Sequence, residues 1–321
     1  MAGRTDNETS RLDDAARAGW LYYVAGKTQD EIARKLGVSR QSAQRLVSLA
    51  ITEKLIKVRL DHPIAHCMEL ARRLTDAYRL DYCDVVPSDP DSPGSIVGLA
   101  QAGAGLMERE LKSSDPKIIA FGTGRALRAC VEELSPMDCP QHRIVSLLGN
   151  MSADGSASAY NAIIQLADKV RARHYPMPLP VFATSPEERA LLHGQKPVRN
   201  ILDLCASADV TFVGIGNIGD NSPLFVDGFI DQDQMDAVMN AGAVGEIVSW
   251  IYDAQGRLIE NHTNSVVASA PIRSNPPNSV IGIAAGDQKV PAIRAALAGR
   301  LINGFITNEA TAEALLRSGH S

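Results

Sequence analysis

The sequence is poor in aromatics, which make up 5% of its 321 residues, with only two tryptophans. Cysteine is scarce as well: Cys67, Cys83, Cys130, Cys139 and Cys205 are scattered, with no C-x-x-C pair. That pattern argues against a disulfide framework and a cysteine-rich zinc site, and suits reduced thiols. No apolar run approaches the ~18 residues a membrane-spanning helix needs. The first twenty residues lack an apolar stretch after a basic start, so no secretory signal is read there. G-x-S-x-G, H-E-x-x-H and Walker loops are missing. His62, His66 and Cys67 lie close together, but no second Cys/His cluster completes a metal site. The expectation is a cytoplasmic protein with no membrane segment, metal or cofactor. What is present, 45% hydrophobic and 21% charged residues, supplies the core of one large domain or two ordinary ones.

Charge is distributed unevenly. Residues 1–62 hold eleven Lys and Arg against eight Asp and Glu, whereas the rest hold 21 against 29. Within 34–59, seven cations face Glu53 alone, a compact basic segment suited to a polyanion. Its pattern is that of a helix-turn-helix. Thr28-Gln29-Asp30-Glu31 reads as a capping box and Gly37 as a left-handed stop, while Ser39 caps a second helix from Arg40 to about Ala50. Ile32, Ala33, Leu36, Val38, Ala43 and Leu46 fall on the inner faces. The outer face of the second helix presents Arg40, Gln41, Gln44 and Arg45, side chains able to pair with base edges in a major groove. Leu55–Leu60 alternates with period two, predicting a wing strand that turns Lys57 and Arg59 toward phosphates. A supporting helix upstream would pack through Leu12, Ala16, Trp20 and Tyr23.

Beyond residue 60 the rhythm becomes that of an α/β domain with a largely parallel sheet. Strands are expected at Tyr82–Val86, Lys117–Phe121, Arg143–Leu148, Val210–Ile215, Ile247–Tyr252, Val280–Ala284 and Leu301–Ile306, with helices between them. Ligands bind such sheets beyond the carboxyl ends of the strands, and those ends are rich in glycine and polar residues. Gly122-Thr123-Gly124-Arg125 precedes a helix and could cradle a phosphate. Gly149 and Asn150 end the next strand, with Asn161 beyond; Gly216, Asp220 and Asn221 follow another; Asp287 and Lys289 follow a fourth. Glu246 and Asp287 stand beside glycine turns and could either accept sugar hydroxyls or cap helices.

Taken together, Ala16–Arg59, GTGR (122–125), the LGN region (147–150), VGIGN (213–217), GAVGEI (242–247), GIAAGDQK (282–289) and ITNEATAEALL (306–316) resemble, in order, the SorC-type sugar-responsive transcriptional regulators. The resemblance implies an all-α winged helix-turn-helix domain at 1–60 and a Rossmann-like α/β domain at 61–321 that binds effector and oligomerises. It also implies operator DNA and a sugar, polyol or sugar phosphate as partners, and a homo-oligomer, dimer or tetramer. The family's effector domain is similar to sugar-phosphate isomerases, whose phosphate loop matches Gly122–Arg125 and whose phosphate-contacting lysine matches Lys289. Three positions depart from the pattern. Thr123 replaces an aromatic, Asn308 replaces an acid before Glu309, and the loop after Gly216 lacks the histidine that assists ring opening in the amino-sugar isomerases. The last counts against an isomerase fused to a DNA head, the main alternative. A DNA-binding protein with an inert oligomerisation domain is the third reading.

Overall fold

The computed structural model describes residues 3–56, 64–92, 94–149, 162–219, 221–260 and 262–317. Lys57, Arg59, Asn150, Asn161 and Asp220 lie outside them, as does the expected wing strand beyond its first two residues. The chain divides into two compact units, Met1–His62 and Pro63–Ser321.

The first unit is built from α1 (Gly3–Tyr23), α2 (Gln29–Leu36) and α3 (Arg40–Thr52). Thr28 and Glu31 form the capping box: the Glu31 N–H donates to Thr28 Oγ1 at 3.3 Å, and the Thr28 N–H to Glu31 Oε2 at 2.8 Å. Gly37 ends α2 at φ 68°, where a β-carbon would be strained, and Ser39 accepts from the Ser42 N–H at 3.1 Å to start α3. Ala18, Ile32, Ala33, Ala43 and Val47 form the core. The inner face of α1 differs from the expectation: Trp20 is 55% exposed and Tyr23 43%, whereas Ala15, Ala18 and Gly19 are buried. Small residues are needed there because Ala50 and Ile56 pack against Gly19. Leu55 and Ile56 both donate to the Ala50 carbonyl, closing α3 with a turn instead of opening a strand.

The second unit runs α4 (Ala65–Tyr78), β1 (Tyr82–Val86), α5 (Val97–Leu111), β2 (Ile118–Phe121), α6 (Arg125–Glu133), β3 (Arg143–Ser146), α7 (Ile163–Val170) and β4 (Arg173–Tyr175). It continues through α8 (Pro186–Gly194), α9 (Lys196–Ala206), β5 (Val210–Gly214), β6 (Gly216–Asn217), α10 (Pro223–Val226), α11 (Gln232–Asn240), β7 (Ala243–Ile247) and β8 (Trp250–Asp253). It closes with α12 (His262–Val266), β9 (Ser279–Ile283), α13 (Val290–Ala298), β10 (Gly304–Asn308) and α14 (Glu309–Arg317).

Among the described residues, seven parallel strands pair in the order β1-β10-β9-β5-β2-β3-β4. Because side chains alternate across each strand, two apolar layers form. Ala120 and Val213 pack with Leu70 of α4, Val198 of α9, Ala292 of α13 and Leu315 of α14. Phe121 and Phe212 pack with Met107 of α5, Leu127 of α6 and Leu166 of α7. This is the expected doubly wound α/β fold.

One predicted strand is two. Ile247–Tyr252 spans the turn of an antiparallel hairpin, β7 with β8, which joins β6 in a separate three-stranded sheet. Val248 and Ser249 make that turn at φ 45° and 72°. The last strand also sits later than Leu301–Ile306, at Gly304–Asn308.

Candidate functional site

In the first unit, Arg40, Gln41, Gln44 and Arg45 are all exposed on α3. Their spacing places them along one side of the helix, away from Ala43 and Val47 in the core. Arg40 is partly held back, its Nε lying 3.5 Å from Asp30 Oδ1 of α2. Lys57 and Arg59 fall outside the described residues.

In the second unit the strand order reverses between β2 and β5. From β2 the chain proceeds to β3 and β4 on one side, and from β5 to β9 and β10 on the other. Such a switch point opens a crevice at the carboxyl ends of the strands. A cavity of about 190 Å³ lies there. It brings together Gly122, Thr123, Gly124, Arg125, Gly149, Gly216, Asn221, Glu246 and Lys289, all singled out from sequence. Asp287 is not among its lining residues and is exposed at the start of a single 3-10 turn. Asn308 and Glu309 are also used elsewhere: Asn308 Oδ1 accepts from the Thr311 N–H at 3.0 Å, and Glu309 Oε2 from the Ser88 N–H at 2.9 Å.

The β2 turn approaches β5 closely. The Gly122 N–H donates to the Phe212 carbonyl at 2.8 Å, and a β-carbon on Gly214 would stand 3.0 Å from the Thr123 carbonyl. Gly124 precedes α6 at φ 129°, with no side chain capping the helix. Its N-terminal amide groups therefore face the cavity with the partial positive charge of a helix start. Gly149 is needed for packing as well, since a β-carbon there would overlap the Leu179 carbonyl.

The hairpin carries Glu246 to the cavity from the other sheet, where its Oε2 accepts from the Ser249 N–H at 2.8 Å. Burial pushes this carboxyl above the ordinary glutamate range, opposed by the Ser249 hydrogen bond and the Lys289 ammonium. Lys289 Nζ donates to the Ile215 carbonyl at 2.8 Å. Burial lowers its pKa, Glu246 raises it, and Arg125 adds a lowering push. Sequence reasoning missed Ser146, Ser249, Phe229 and Asp227, which also line the cavity. Asp227 follows the four-residue α10, a loop position with no periodic or motif signal. Burial raises its carboxyl pKa and the Arg125 guanidinium lowers it. The site thus offers two cations, two carboxylates, a helix start and several hydroxyl and amide groups, an assortment suited to a small polyhydroxylated molecule. It contains no histidine among its lining residues.

Comparison with known proteins agrees with this arrangement. A family described as "Putative sugar-binding domain" matches residues 62–317. The erythritol catabolism regulatory protein EryD of Brucella abortus (strain 2308) is 34% identical over 94% of this chain and 96% of its own length. The transcriptional regulator LsrR of Escherichia coli (strain K12) is 30% identical over 95% of each chain. The crystal structure of the full-length sorbitol operon regulator SorC from Klebsiella pneumoniae superposes with a TM-score of 0.69 at 26% identity, covering 95% of this chain and 99% of that one. No helix among the described residues is long and apolar enough to cross a membrane. The chain belongs to the sugar-binding-domain family of transcriptional regulators, and its relatives are named as regulators of transcription, not as enzymes.

Proposed function

We propose that this protein is a cytoplasmic regulator of carbohydrate or polyol catabolism that reads operator DNA through α3 and changes its hold on that DNA when a sugar, polyol or sugar phosphate fills the switch-point cavity. The observation that carries the reading is the cavity itself: glycine-lined ends of separate strands converge on one polar hollow, with charged groups of both signs on its wall. Two states of an oligomer would differ in the spacing of their DNA heads, and the ligand would favour one state by its differential affinity. Anisotropy titrations of DNA flanking the protein's own gene, with and without erythritol, ribitol, sorbitol and their terminal monophosphates, test this. One compound should shift operator affinity without being converted. Isomerised product in the same mixtures would favour the enzyme reading.

The DNA arm has its own check. Arg45 is exposed on α3 with no ion pair among the described residues. Arg45→Ala is expected to weaken operator binding roughly tenfold while leaving ligand affinity unchanged. Footprinting distinguishes a base contact, which relaxes preference at one position, from a phosphate contact, which weakens every sequence alike. Unchanged affinity would remove α3 from the groove.

One short helix neutralises too few phosphates for tight binding by a monomer at physiological salt. A homo-oligomer, dimer or tetramer, follows from that argument. The exposed Trp20, Tyr23 and Val24 at the end of α1 supply apolar surface of the kind association covers. Light scattering should find at least a dimer at micromolar concentration, and a monomer with operator present would refute it.

A further inference from the structure

The four charged side chains that line the cavity are not equally engaged. Lys289 is tied to the Ile215 carbonyl and Glu246 to the Ser249 N–H. Arg125 and Asp227 come from separate segments, the first residue of α6 and the loop after α10, and among the described residues neither has a hydrogen bond or an ion pair to another side chain. Yet they lie within electrostatic reach of each other, since the guanidinium pulls on the half-buried Asp227 carboxyl against the effect of its burial. A carboxylate partly withdrawn from water gains from any ligand donor that reaches it.

A hydroxyl group suits this pair because it donates and accepts at once. It can give its proton to the Asp227 carboxylate and take a hydrogen bond from the Arg125 guanidinium, and a neighbouring hydroxyl can repeat the pattern. An anionic group cannot. It would have to share Arg125 with a carboxylate and would be repelled by that carboxylate's charge. The formal charges of the four side chains cancel, and the start of α6 adds only about half a positive charge. That leaves room for at most one anionic group on the ligand.

We propose that Asp227 is a specificity-determining residue of this cavity: with Arg125 it holds a hydroxyl-bearing end of the ligand and refuses an anionic group at that position. The proposal rests on the effector reading above and narrows it to a neutral polyol or sugar, or a derivative with a single anionic group placed away from Arg125.

The test is calorimetry of wild type and Asp227→Asn with erythritol, ribitol, sorbitol, their terminal monophosphates and inorganic phosphate. Asparagine keeps the shape of the side chain, and an unchanged melting temperature verifies the fold. The variant is expected to bind the favoured neutral polyol about tenfold more weakly and inorganic phosphate about tenfold more tightly, moving the ratio by about two orders of magnitude. Equal losses for both classes would mean that Asp227 only shapes the wall, and no change in either would mean that it does not touch the ligand. Each result overturns the proposal, as does tight binding of a sugar bisphosphate by the wild type. A wild type that responds to no compound removes the effector reading itself, an outcome seen before the variant is made.

Discussion

Phe212→Ala is expected to destabilise the α/β unit by about 3–5 kcal/mol, the range for truncating a fully buried aromatic. Phe212 sits in the middle of β5, between β2 and β9 at the centre of the sheet. Its side chain is fully buried, with its ring centroid 5.9 Å from that of Phe121 on the neighbouring strand. Packed strands on either side cannot move in without breaking their ladders, so the vacated volume should remain largely open. The site should suffer as well, because the Phe212 carbonyl anchors the N–H of Gly122, a buried residue of the cavity wall. The two tryptophans make the measurement selective, since Trp20 lies in the head and Trp250 in the α/β unit. Trp250 is buried, donates from Nε1 to the Ala270 carbonyl at 2.9 Å and has the Arg189 guanidinium 5.1 Å from its ring centre. In a Trp20→Phe background, urea unfolding followed at Trp250 reports the α/β unit alone. A loss below about 1 kcal/mol would mean that the layer around Phe121 collapses into the gap and that β5 is less rigid than its position implies.

The head and the sheet were legible because each local signal there agrees with its tertiary role. Thr28, Glu31, Gly37 and Ser39 cap the helices that their neighbours' periodicity defines. The buried strands read as short apolar runs ending in glycine, and those endings located most of the cavity. Misreadings arose where tertiary context overrode a local pattern. Trp20 and Tyr23 are large and apolar, yet the close crossing of α1 with the end of α3 admits only small residues on the inner face. The hairpin of β7 and β8 was hidden because its turn is made by Val248 and Ser249, at positive φ normally left to glycine or asparagine. An apolar run containing such a turn reads as one strand. That error matters to the site, since the hairpin is what lifts Glu246 out of the main sheet and over the cavity. Helix α8 has a weak apolar stripe and no buried residue, although Ser185-Pro186-Glu187-Glu188 carries a usable start signal. Asp227 had none, because a carboxylate in a loop acquires meaning only from what the fold places opposite it.

Lys289→Ala should separate ligand response from DNA binding. In the wild type the ammonium is half-buried, donates to the Ile215 carbonyl and opposes the burial of Glu246. Its loss removes a charge-assisted contact from a partly desolvated site, costing about 2 kcal/mol, or roughly thirtyfold, in affinity for a ligand bearing one anionic group. A neutral polyol should lose much less, so the size of the effect reports the charge of the ligand. Operator binding without ligand should survive, leaving a regulator that no longer responds. The variant also has a pH signature. Burial already raises the native carboxyl of Glu246, so the stability linked to its protonation is present at low pH and lost as pH rises through the raised value. Without Lys289 the carboxyl should rise further and the loss at neutral pH should deepen. Lys289 itself is shifted down, so the stability it contributes is present at alkaline pH and lost as pH falls through its lowered value, a dependence the variant lacks. The melting-temperature gap between wild type and variant should therefore widen as pH rises from the ordinary glutamate range toward neutrality and beyond. Lys289→Arg keeps the charge and should narrow that gap even if its larger head weakens the ligand. A gap that stays constant across the range would show that Lys289 and Glu246 do not sense each other, and the thirtyfold loss would then have to come from the ligand contact alone.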